Sequence, residues 1–178
     1  FADLNYTAAA GIYGSVEYNG FIAASGVGKD QVTNGAFATR GWWNDSKNRG
    51  GALMLQVSTV GITNPLSLQV VGYVLTGAPT NYVIEWSTSN NMDTGTWNPV
   101  SEFTFQDVAN WTSTLLTQSP GGKTMNFNLP VATLGLNNLY VRIKAKSKAA
   151  GSATSATGGA YLSASAAYFG HISLKYNK

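Results

Sequence analysis

Cysteine is absent from all 178 residues. Disulfides, Cys-ligated zinc and thiol catalysis are therefore excluded, although export is not. Histidine occurs once, as His171, so neither a two-His metal site nor a His relay can be built. Charged side chains make up 11 % of the chain, less than half the usual share of about 25 %. No apolar run reaches the ~18 residues that a membrane-crossing helix needs. Residues 1–10 have neither a basic start nor a long apolar stretch, so no signal peptide is expected and the chain reads as a mature or trimmed form. No Gly-x-Ser-x-Gly nucleophile elbow is present.

Ser, Thr, Asn and Gly stand where the charges are missing. With 44 % hydrophobic residues, this composition fits a folded β-protein kept soluble by uncharged hydrogen-bonding groups. Such a protein is expected to be secreted, periplasmic or on a bacterial cell surface. The aromatics and apolar strands argue against disorder. The net charge of +3 hints at an anionic partner, but the cations are few and scattered. The densest set, Arg142, Lys144, Lys146 and Lys148, alternates along one strand and is read as a solvated face. Phosphate tracking needs a concentrated basic surface, so nucleic acid is not an expected partner.

Period-2 alternation dominates the pattern, the mark of half-buried strands. Leu53, Leu55 and Val57 alternate with Met54, Gln56 and Ser58. Leu66, Leu68 and Val70 alternate with Ser67 and Gln69. The same holds for Tyr82, Ile84 and Trp86, for Phe103 and Phe105, for Met125, Phe127 and Leu129, and for Leu139, Val141, Ile143 and Ala145. In the last strand, Phe169, His171, Ser173 and Lys175 are read on one face and Ile172 and Leu174 on the other. Gly-, Pro- and Asn-rich turns separate the runs at 76–79, 89–95, 119–122 and 134–138. One short helical turn is expected within 107–116. Residues 148–167 are low in complexity and read as a long loop. The expectation is an all-β chain: a single antiparallel β-sandwich domain over 1–178.

The middle and end of the chain resemble a known pattern. Residues 82–100, YVIEWSTSNNMDTGTWNPV, carry Trp86-Ser87-Thr88, then Gly95, then Thr96-Trp97. Asn128-Leu129-Pro130 ends a strand, NNLYVRIKAKS follows at 137–147, and a strand over 168–176 closes the pattern. Together these residues, covering about 50–178, resemble the galactose-binding-like (MAM/discoidin-type) jelly-roll domains of secreted bacterial proteins. The resemblance implies a jelly-roll sandwich that binds glycans or serves as an accessory module of surface enzymes and adhesins. Where the family commonly carries an acidic residue of a calcium site, this chain has Phe169-Gly170-His171-Ile172. No cofactor is therefore expected, with calcium the one candidate. Trp86 is in phase with Tyr82 and Ile84 and is read as core. Trp97, after a hairpin turn, is read as a plug folded over the strand pair.

Catalysis needs convergent titratable groups. Glu85 and Glu102 lie on candidate adjacent strands and are the one pair with glycosidase potential; the plainer reading sets both on solvated faces opposite Trp86 and Phe103. His171 reads as an ordinary strand residue. Oxygen ligation of a metal by Asp30 with Asp45 or Asp93 has no motif behind it. A non-enzyme is expected, with an accessory role beside a glycan-degrading enzyme as its nearest catalytic association.

Residues 35–51 read GAFATRGWWNDSKNRGG. Adjacent tryptophans on a strand face opposite ways, so one enters the core and the other is left exposed or covered by a loop. An exposed indole can stack on the C–H face of a sugar, while Arg40, Asn44, Asp45, Asn48 and Arg49 offer polar partners for its hydroxyls. Trp111, beside Asn110, is a secondary candidate, as are Tyr13, Tyr18, Asn90 and Asn91. The competing reading is an edge strand whose tryptophans cap the sandwich. The candidate ligand-binding set is thus Arg40, Trp42, Trp43, Asn44, Asp45, Asn48, Arg49 and Trp111. The expected partner is carbohydrate, with other domains of a longer protein beside it; the alternative is a structural or protein-binding adhesion domain.

Overall fold

The computed structural model describes residues 2–6, 17–19, 37–39, 42–44, 49–74, 77–91, 93–105, 123–147 and 167–176. Among these, twelve strands run in chain order: β1 (Ala2–Tyr6), β2 (Glu17–Asn19), β3 (Phe37–Thr39), β4 (Trp43–Asn44), β5 (Arg49–Gly50), β6 (Ala52–Val57), β7 (Leu66–Val74), β8 (Asn81–Ser87), β9 (Asn98–Thr104), β10 (Lys123–Asn128), β11 (Leu139–Ala145) and β12 (Ala167–Tyr176). A 3-10 turn at Val131–Thr133 is the helical element among the described residues.

The pairing follows one nested antiparallel pattern. β8 pairs with β9, β7 with β10, β6 with β11 and β3 with β12. The chain therefore behaves as one long hairpin folded at 88–97. Rolling that hairpin brings β11 against β8 and β12 against β7. Two five-stranded sheets result: β1 and β3 on one edge of β12, then β7 and β10; and β2-β6-β11-β8-β9. An antiparallel sandwich wound in this way is a jelly roll.

Each sheet sends alternate residues inward, as the sequence requires. Leu53, Leu55, Tyr82, Ile84, Phe103, Val141 and Ile143 face Leu66, Leu68, Val70, Met125 and Leu174 in one core. Trp86 is half-buried and packs against it. The last strand departs from strict alternation. A bulge between Phe169 and His171 shifts the register against β7, so Phe169, Ile172 and Leu174 all reach the core. Gly170 supplies the irregular residue; an isolated glycine in a strand is the usual mark of such a bulge.

The loops at one end are tied through Thr59, by its backbone, which donates to the Leu136 carbonyl and accepts from the Gly135 N–H, and by its hydroxyl. Thr59, fully buried, donates from Oγ1 to the carbonyl of Thr133 at 2.7 Å and accepts from the N–H of Leu136 at 2.9 Å. The β6–β7 and β10–β11 connections are thereby locked together. Gly135 sits there at φ 69°, a left-handed conformation that glycine adopts without steric cost. The helical turn expected within 107–116 and most of the low-complexity stretch 148–167 lie outside the described residues.

Candidate functional site

The two adjacent tryptophans have opposite fates. Trp42 is 0 % exposed. Its ring meets Tyr82 of β8 edge-on, centroids 4.9 Å apart, and Phe169 of β12 at 5.7 Å. It thus bridges the two sheets and closes the core. A residue so buried offers no face to a ligand, so the inclusion of Trp42 in a binding platform is corrected: it is the inward member of the pair. Trp43 begins β4 and is half-buried, with its indole nitrogen shielded from solvent. Any ligand contact it makes is therefore by ring surface rather than by its N–H.

The hairpin β4–β5 is held against the sandwich by its backbone. Trp43 lies opposite Gly50 and Asn44 opposite Arg49. The N–H of Gly51 donates to the carbonyl of Trp42 at 2.7 Å, and the N–H of Ala145 donates to the carbonyl of Gly51 at 3.0 Å. A Cβ on Gly50 would lie 1.8 Å from the Ala145 carbonyl oxygen, so only glycine permits this seat. Of the remaining expected site residues, Asn44 and Arg49 are placed by this register, whereas Arg40, Asp45, Asn48 and Trp111 lie outside the described residues.

The outer face of the sheet containing β11 carries two ion pairs of different character. Arg142 Nε donates to Glu85 Oε2 at 2.6 Å, with side-chain exposures of 6 % and 17 %. The guanidinium carbon also lies 3.9 Å from the Trp97 ring centroid, a cation–π arrangement. Trp97 is seated by a built loop: its Nε1 donates to the Asn91 carbonyl at 2.9 Å, while Asn91 Oδ1 accepts from the N–H groups of Asp93 and Thr94. The expected plug is present, and what it covers corrects the reading of Arg142 as part of a solvated cationic face; Lys146 is exposed as that reading has it, and Lys148 lies outside the described residues. Arg142 faces outward and is nonetheless buried, because Trp97 lies over it and Glu85 beside it. Met54, Ala52 and Tyr140 are buried on the same outer face, with Trp97 packed on them.

Just past the end of β11, Lys146 Nζ donates to Glu102 Oε2 at 2.5 Å, with side chains 51 % and 59 % exposed. This pair belongs to an open cleft of about 430 Å³ lined by Asn81, Tyr82, Glu102, Phe103, Thr104, Lys146 and Ser147. Thr104 Oγ1 donates to Asn81 Oδ1 across it at 2.9 Å. Sequence reading missed the cleft because its partners come from β8, β9 and the segment after β11; Lys146 and Glu102 are 44 positions apart. Glu85 and Glu102 are each engaged by a different cation, Arg142 and Lys146. Among the described residues no group of three His, Asp or Glu side chains could hold a metal ion, and Asp30 and Asp45 lie outside those residues.

No family model matches this chain, and no curated protein matches it. Among solved structures, the K1 cleaved adhesin domain of Lys-gingipain from Porphyromonas gingivalis W83 is similar at 11 % identity and a TM-score of 0.53, with 100 % of both chains covered. The K2 cleaved adhesin domain of Lys-gingipain follows at 14 % identity, TM-score 0.44, covering 98 % of this chain and 99 % of that one. The CBM36-1 domain of a multidomain xylanase from the hindgut metagenome of Trinervitermes trinervoides stands at 8 % identity, TM-score 0.35, covering 80 % and 87 %. The first likeness shows the β-sandwich fold; the other two, at these scores, add nothing to it.

Proposed function

We propose that this chain is a non-catalytic carbohydrate-binding module of an exported bacterial protein, gripping glycan through the β4–β5 hairpin. The observation that carries this reading is the split of the tryptophan pair. Trp42 anchors the hairpin in the core, and Trp43 stays partly exposed on a support whose backbone is fixed at Gly50, Gly51 and Ala145. A preorganised aromatic loses little entropy when a sugar ring stacks on it. Arg40, Asn44, Asp45, Asn48 and Arg49 are the polar partners in this reading, with Trp111 secondary. Affinity at one such site is modest and rises by avidity when modules are joined in a longer protein.

The engagement of Glu85 and Glu102 by separate cations supports a binding role over hydrolysis. The whole-length likeness to an adhesin domain supports a second reading, a structural or protein-binding adhesion domain. The galactose-binding-like assignment belongs to the same proposal and is supported by the jelly-roll winding; the module is proposed to need no cofactor, with calcium the one candidate. Affinity electrophoresis in gels cast with plant, host and microbial polysaccharides separates the two readings. Retardation of the native chain, lost in Trp43→Ala, supports glycan binding. Unretarded migration in every gel, together with capture of a surface protein, supports adhesion.

A further inference from the structure

The cleft at the end of β8, β9 and β11 is built for a ligand that both donates and accepts hydrogen bonds. Asn81, Glu102 and Thr104 stand on β8 and β9, and Lys146 follows directly on the end of β11. Asn81 Oδ1 accepts from Thr104, which leaves the Asn81 amide N–H groups directed to other partners. Glu102 uses one carboxylate oxygen for Lys146, leaving the second, and Lys146 keeps two further N–H groups. Its lining holds one cation and one anion, so it carries no net charge. Tyr82 and Phe103, stacked at 5.5 Å, turn their rings into the core beneath it and hold the two strands that form its floor. The volume, about 430 Å³, lies within the range of small-ligand sites.

The cleft also adjoins the hairpin. Ala145 and Lys146 are consecutive: the first donates its N–H to Gly51 beside the hairpin, the second to the carbonyl of Asn81 in the cleft. Gly51 and Asn81 thus flank β11, about 10 Å apart at two strand spacings. A short oligosaccharide can reach from one to the other.

We propose that this cleft is the polar subsite of the glycan surface and takes a neutral sugar ring with adjacent hydroxyls. The inference rests on the glycan reading above. One hydroxyl donates to the open oxygen of Glu102, and its neighbour accepts from Lys146 or Asn81. An acidic ring would set a second carboxylate against Glu102 and binds more weakly.

The test is an amide ¹H–¹⁵N titration of the whole chain with galactose, glucose, mannose and galacturonate, repeated with Glu102→Gln. Expected are saturable shifts at Asn81, Glu102, Thr104 and Lys146 with a neutral sugar, at least tenfold weaker saturation with galacturonate, and about tenfold weaker binding in the variant. The variant alters an exposed pair and leaves the rest of the spectrum in place. Shifts confined to Trp43, Asn44 and Gly50 overturn the cleft and leave the glycan reading standing. A preference for galacturonate overturns the neutral-ring assignment. Shifts nowhere, with these sugars and their oligosaccharides, overturn both.

Discussion

Replacing Arg142 by Met keeps most of the side-chain volume over Trp97 and removes the charge from beside Glu85. The two terms lost are visible in the geometry. A hydrogen bond between charged groups contributes about 1.5–3 kcal/mol, here at 2.6 Å between side chains 6 % and 17 % exposed. A desolvated cation–π contact contributes up to about 2 kcal/mol. Recovered desolvation of the guanidinium offsets part of this, while Glu85 is left half-buried without its cation. A net loss of about 3 kcal/mol follows, a large fraction of an ordinary domain's stability. Glu85→Gln combined with Arg142→Met removes the stranded charge, and the double variant regains about half of the loss. Urea denaturation monitored by tryptophan fluorescence reads these differences at constant m-value. The companion change Lys146→Met breaks an ion pair of similar length four residues further along the chain. That pair is more than half exposed, and the expected loss is below about 1 kcal/mol. Equal losses for Arg142→Met and Lys146→Met would refute the argument that cover by Trp97, rather than distance, sets the strength of these pairs.

Further outcomes follow from other sites. Gly50→Ala drives a Cβ against the Ala145 carbonyl and is expected to lift the hairpin off β11, seen as lost amide protection at Gly51 and Ala145 in hydrogen exchange. Thr59→Val strips the hydroxyl that joins two loops and is expected to cost about 1–3 kcal/mol in chemical denaturation. Phe105, 1 % exposed and ring-packed on Tyr82 and Phe169, is expected to cost about 3–5 kcal/mol on truncation to Ala, read as a lowered denaturation midpoint.

The strands were legible because period 2 is a local property. Tyr82 and Ile84 announce the inner face of β8 without any knowledge of their neighbours, and the jelly-roll winding agrees with the pattern carried by residues 82–100 and 137–147. Where the outcome depended on partners far along the chain, local reading stopped short. Alternation placed Arg142 outward correctly but gave no sign that Trp97, 45 positions earlier, would lie over it. Strict alternation also put Phe169 in phase with His171, and the bulge at Gly170 undoes that phase. For the tryptophan pair, the sequence established that the two rings diverge. Only the space between Tyr82 and Phe169 decides that Trp42 is the one that enters.

The central claim is that adjacent tryptophans do different work, one holding the fold and the other meeting the ligand. Thermal unfolding and glycan-array binding, measured together on the native chain, Trp42→Ala and Trp43→Ala, test it most directly. The account predicts that Trp42→Ala loses about 3–5 kcal/mol of stability, whereas Trp43→Ala melts near the native temperature and no longer binds the glycan that the native chain retains. Two variants that lose stability alike, or a native chain that binds no glycan on the array, would contradict it.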